Sequence, residues 1–175
     1  MGRDVVSAGL LLLVMVVQVT VVNRLPLPGQ GAPDLVLLGV VGYALVRGAT
    51  AGAVAGFCAG LLGDVLPPAA HMLGQYALVL CLVGFAAGRM VESRPDSVLL
   101  TALVCAAAGP LVAVATSALL GDARISGAVL TTTLPWAVGY NLLAAPPMVW
   151  VVTRLVRGPR VRELRPVGRL VRGRV

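Results

Sequence analysis

Gly48-Ala49-Thr50-Ala51-Gly52-Ala53-Val54-Ala55-Gly56-Phe57-Cys58-Ala59-Gly60-Leu61-Leu62-Gly63-Asp64 sets a glycine at every fourth position and an aspartate in the next place of the series. In water such a helix is poor, because each glycine costs about 1 kcal/mol against alanine. Within a bilayer the same ladder is useful, since small residues four apart let a second backbone come close. Four residues of helix turn through about 400°, so the stripe is expected to drift by roughly 40° per step and wrap slowly around its axis. The segment reads as a packing helix of a membrane bundle, with one acid at the end of its groove.

The rest of the chain supports that setting. Hydrophobic residues make up 58% of the 175 and charged residues 12%, where a soluble domain carries about 25% charge. Mean hydropathy is +0.94, and the charges lie in short segments between long apolar runs, the pattern of an integral membrane protein. All 14 basic residues are arginine, and with abundant Ala, Val and Gly this points to a GC-rich bacterial genome. The net charge of +7 comes largely from eight arginines after residue 153, opposed there only by Glu163. Beside a membrane span, a basic tail implies anionic lipid at the cytoplasmic face rather than nucleic acid. Cys58, Cys81 and Cys105 lie in apolar runs at spacings that fit no metal or redox motif, and read as small packing residues.

Six spans are predicted. Residues 5–22 follow Arg3 and exceed the roughly 7–15 residues of a signal-peptide core, with no cleavage signal behind them. A loop rich in Pro and Gly leads to Asp34, which is placed to cap a second helix over 35–46. That helix has only a dozen apolar residues, short of the ~20 of a perpendicular span, so it is either a short span or a re-entrant one. The third span is 49–66, before Pro67-Pro68, and the fourth is 72–87, ending at Gly88-Arg89. A polar stretch over 89–97 offers Asp96 or Ser97 as the next N-cap. The fifth span, 98–120, is expected to kink at Gly109-Pro110, and the sixth, 129–153, contains Pro135, Pro146 and Pro147. With both termini inside, Arg3, Arg47, Arg89, Arg94 and the tail arginines are cytoplasmic, and only Arg24 and Arg124 are outside, as the positive-inside rule asks. The domain organisation is thus a helical bundle over 1–155 and a cytoplasmic Arg-rich tail over 156–175.

Polar groups inside spans are few. Asp64 stands at the C-terminal end of its own helix, where the macrodipole disfavours an acid. A cationic partner from Arg24, Arg124 or His71 would help there, and a structural role, as an ion pair or in hydrogen bonding, is expected over a transport role. Gln18, His71, Gln75 and Asn141 are candidate polar contacts between helices, and Gln75 and Tyr76 are placed to reach the Asp64 end of the third helix. A single histidine with no acidic cluster makes neither a zinc ligand set nor a convincing acid–base pair. Phosphate-cradling loops, intramembrane-protease motifs and acid clusters for divalent metal are absent from the sequence. Neither an enzyme nor a cofactor is expected.

The run Pro33-Asp34, the ladder Gly48, Gly52, Gly56, Gly60 with Leu61-Leu62-x-Asp64, Leu73-Gly74, and Gly84-x3-Gly88 together resemble the MreD family of rod shape-determining membrane proteins. The likeness covers residues 1 to about 155 and is strongest from Pro33 to Gly88. It implies an all-α integral membrane protein, a six-helix transmembrane bundle similar to transporter S components, in the bacterial cytoplasmic membrane. It implies a non-enzymatic scaffold of peptidoglycan elongation that binds MreC and, through it, MreB, near RodA and a class B penicillin-binding protein. Gly48, Gly52, Gly56, Gly60, Asp64, Gly84 and Gly88 would then serve helix packing or partner binding. The alternative is a substrate-binding S component of an energy-coupling-factor vitamin transporter. Against it stand a first helix without an Ala-x3-Ala pattern and an aromatic content of 4%, which leaves few rings to stack on a vitamin.

Overall fold

The computed structural model of the chain describes residues 2–26, 28, 31–66, 73–121, 127 and 129–157. Six α-helices carry these residues, with no strand among them: α1 Gly2–Thr20, α2 Leu35–Arg47, α3 Ala49–Val65, α4 Gln75–Ser93, α5 Val98–Leu119 and α6 Leu134–Arg157. The tail from residue 158 and His71 lie outside the described residues.

α2 explains its own shortness. Its residues Val36 to Gly42 are all buried, and Leu38, Val40 and Val41 are sealed from the surface. It touches each of the other five helices. A helix that is apolar all round belongs in the middle of a bundle, and α2 is the central rod here. Asp34 starts it, accepting from the Leu37 backbone N–H at 2.9 Å, as the sequence suggested. Gly39 faces Leu11 and Val14 of α1 and Met148 of α6, and Gly42 leaves room for Val152 of α6.

Element ends differ from the expected spans in physically instructive ways. α4 does not stop at Gly88-Arg89 but continues to Ser93, because Gly88 is held against the start of α3 rather than freed as a cap. Ser97 holds the N-cap position of α5, one of the two expected, but neither it nor Asp96 caps the helix through its side chain. Both sit in a short 3-10 turn, Pro95–Ser97, and the Ser97 hydroxyl bonds back to the Arg94 carbonyl at 2.9 Å. α5 stays helical through Gly109-Pro110. α6 is preceded by a π-helical turn, Val129–Thr133, and runs on to Arg157. α4 and the Pro95–Leu119 segment are long and apolar enough to cross a membrane. Large apolar side chains such as Leu13, Val54, Phe57, Leu100, Leu119 and Leu143 are exposed around the outside.

Candidate functional site

The glycine ladder is a seam against α4. A Cβ on Gly52 would stand 2.5 Å from the Gly84 carbonyl oxygen and from the Ala44 methyl. One on Gly56 would strike the Leu80 carbonyl, one on Gly60 the Ala77 backbone, and one on Gly88 the backbone of Ala49. Gly84 in turn has room for no side chain against the Gly52 carbonyl. The partners fall 84, 80, 77 as the ladder climbs 52, 56, 60, so the two helices run antiparallel with backbone on backbone. Among the described residues α3 and α4 form the most extensive helix pair. The drift expected of a four-residue repeat does not carry the stripe away from its mate, because α4 meets it at each step. Gly48 differs: its φ of +88° suits glycine, and it joins α2 to α3 in a single residue.

A carboxylate closes each end of the seam. Asp64, 4% exposed, accepts from three backbone N–H groups at the start of α4: Gly74 at 2.9 Å, Tyr76 at 3.2 Å and Ala77 at 3.1 Å. At the other end Glu92, in the last turn of α4, accepts from the Ala49 N–H at 2.8 Å at the start of α3. The first N–H groups of a helix have no partner within it, and here each helix of an antiparallel pair satisfies those of the other. Of the two structural roles expected of Asp64, ion pair or hydrogen bonding, the structure shows the hydrogen-bonded one. The acid lies at the C-terminal end of α3 but at the positive N-terminal end of α4, so the neighbouring helix supplies both dipole and donors. Arg24 is exposed, and Arg124 and His71 fall outside the described residues. Glu92 also pairs with Arg89, at 3.5 Å, on the surface.

A second polar layer ties the same end of the bundle together. The Tyr76 hydroxyl donates to both Asp34 oxygens, at 2.7 and 2.8 Å. The Asp34 backbone N–H donates to Asn141 Oδ1 at 2.7 Å. Gln18 accepts from the Leu35 N–H at 2.9 Å and donates to the Pro33 carbonyl at 3.0 Å and to Asn23 at 2.9 Å. Asn141, 1% exposed, donates its amide to the Ala106 carbonyl at 3.4 Å. That carbonyl lies four residues before Pro110, which has no N–H to offer it. Asn141 of α6 therefore takes the place of the bond that Pro110 removes from α5. Gln75 turns away from Asp64 and donates to the Ser117 hydroxyl of α5, leaving its buried Oε1 without a partner.

The model of the family described as rod shape-determining protein MreD matches residues 4–158. The chain belongs to the MreD family. MreD proteins are bacterial membrane proteins with a role in rod-shape determination, and they are not known as enzymes. No curated protein and no solved structure matches the chain.

In this MreD chain the seven ladder residues named from the sequence come together on one seam. Gln18 and Asn141 meet at the Asp34 end, and Gln75 is separate from both. Sequence reasoning missed Glu92 and the long-range pairings of Tyr76 and Gln75, two residues it had named. Glu92 had a signal, for Gly84 and Gly88 place it next in their own four-residue series, as Asp64 stands in its series. Tyr76 to Asp34 and Gln75 to Ser117 each join residues 42 positions apart and had none. The cysteines divide: Cys105 is buried as expected, Cys81 is half-buried, and Cys58 is exposed on the outer face of α3. Among the described residues no group of His, Cys, Asp or Glu stands together as a metal site.

Proposed function

We propose that this chain is a multi-pass scaffold of the cell-elongation machinery in the bacterial cytoplasmic membrane, with both termini cytoplasmic and no chemistry of its own. It holds MreC and, through it, MreB, and works beside RodA and a class B penicillin-binding protein. The Arg-rich tail rests on anionic lipid. The observation that carries this reading is the fate of the polar side chains. Asp64, Glu92, Asn141 and Gln18 are spent on backbone groups of neighbouring helices, which fixes helices rather than substrate. An open, mostly apolar groove of about 540 Å³ between α1 and α3 is lined by residues such as Leu11, Met15, Ala55 and Leu62, with Tyr43 and Thr50 adding hydroxyls and no charged side chain present. A lining without a charged group to fix a ligand's orientation weighs against a vitamin carrier.

Affinity purification of the tagged chain in mild detergent, read by mass spectrometry, tests the proposal. MreC and wall-synthesis proteins are expected. Recovery of a transporter ATPase pair in their place would overturn it.

A further inference from the structure

The outer face of α6 carries an uninterrupted sequence of environments. Before it, Thr131 and Thr132 are exposed in the π turn. Trp136, 47% exposed, stacks on Tyr140 with ring centroids 5.8 Å apart. Then come only apolar exposed positions, Gly139, Leu142, Leu143, Pro146 and Pro147, with Leu143 at 78%. Trp150, 61% exposed, follows, and the Arg154 guanidinium lies over its ring at 5.5 Å. The polar groups between the two tryptophans turn elsewhere, Tyr140 to the Pro28 carbonyl at 3.1 Å and Asn141 into the core.

Fourteen residues separate the tryptophans, which is about 21 Å of helix rise and within about 40° of a whole number of turns. They therefore lie on one face. Tryptophan and tyrosine favour the membrane–water interface, with the ring at headgroup level, and arginine near a helix end reaches outward to the same level. We infer that this face of α6 lies bare against lipid, with Trp136 at one interface of the bilayer and Trp150 at the other. The hydrocarbon layer along it is then about 21 Å deep, thinner than the ~30 Å of a typical bilayer. Short hydrophobic faces are accommodated by local thinning of this kind. The inference goes beyond the scaffold reading and stands on α6 alone, so loss of partner binding would leave it untouched.

Trp136 and Trp150 are the chain's two tryptophans, so its intrinsic fluorescence reports on both. The purified full chain is reconstituted into phosphatidylcholine vesicles bearing a nitroxide near the carbonyl or near the middle of the acyl chain. The near-carbonyl label is expected to quench more strongly than the mid-chain label in the unaltered protein. The same order is expected in Trp136→Phe and in Trp150→Phe, which isolate each ring. Stronger quenching by the mid-chain label for either ring would overturn the inference. So would weak quenching by both labels, which would mean that the face is covered by a second copy or by another part of the chain. Should a variant fail to fold, the unaltered chain still decides, since one deep ring would bring mid-chain quenching into its signal.

Discussion

At Gly56 the smallest side chain is a steric requirement of tertiary contact, because a single methyl there would enter the Leu80 carbonyl oxygen. Backbone cannot step aside as a flexible side chain would. Gly56→Ala is therefore expected to cost about 1–3 kcal/mol through overpacking, read as a fall in melting temperature in detergent. Gly139→Ala, with open space at its Cβ position inside α6, is expected to hold or raise that temperature. Equal behaviour of the two variants would remove the seam from the account. Asp64 gives a graded test at the same scale. Asp64→Ala strands three backbone donors, at about 1–3 kcal/mol for each one left buried and unpaired. Asp64→Asn keeps one acceptor oxygen and should lose less. A charge-only role would make the two equally damaging.

At the scale of the element, α3 and α4 behave as one unit, since each supplies the acid that ends the other's row of free N–H groups. Glu92 is partly exposed, so Glu92→Ala is expected to cost toward the lower part of the 0.5–2 kcal/mol range of lost caps, below Asp64→Ala in the same assay. α5 and α6 are joined by a different device. If Asn141 stands in for the N–H that Pro110 lacks, Asn141→Leu should be less harmful in a Pro110→Ala background, where the Ala106 carbonyl regains its helical donor. Denaturation of the four members of this cycle gives the coupling directly. Strict additivity would mean that Asn141 matters only through Asp34. Much of α3 was legible beforehand because a four-residue repeat of glycine has few uses outside close packing. Its mate was half legible: Gly84 and Gly88 were named, but the series was not followed to Glu92. The expected end of α4 at residue 87 accordingly falls six residues short of Ser93, more than a turn and a half.

Across the whole molecule, α2 shows why a count of apolar residues misleads. Thirteen residues rise only about 20 Å, which taken alone suggests a failed span, yet the helix is short because it is enclosed on every side. The proposed orientation is tested with reporter fusions. A fluorescent protein placed after residue 157 or within 94–97 is expected to shine, as cytoplasmic fusions do. One placed within 25–33 is expected to stay dark, while a periplasmic enzyme reporter there is active. Reversal at any of these points would break the six-span scheme.

The chain's order along itself fixed its class. Apolar runs, breaks at glycine and proline, and the placement of arginine depend on local composition, and so do the caps at Asp34 and Gly48. From these came a helical membrane bundle and its seam, while the family came from the likeness of its motifs and the match over residues 4–158. Partnership was settled elsewhere. Asp64 takes its donors from the backbone of α4, Asn141 answers a proline on another helix, and Tyr76 reaches Asp34 across 42 residues. A buried polar group must be satisfied by whatever packing brings within about 3 Å, and only the folded arrangement of helices states what that is.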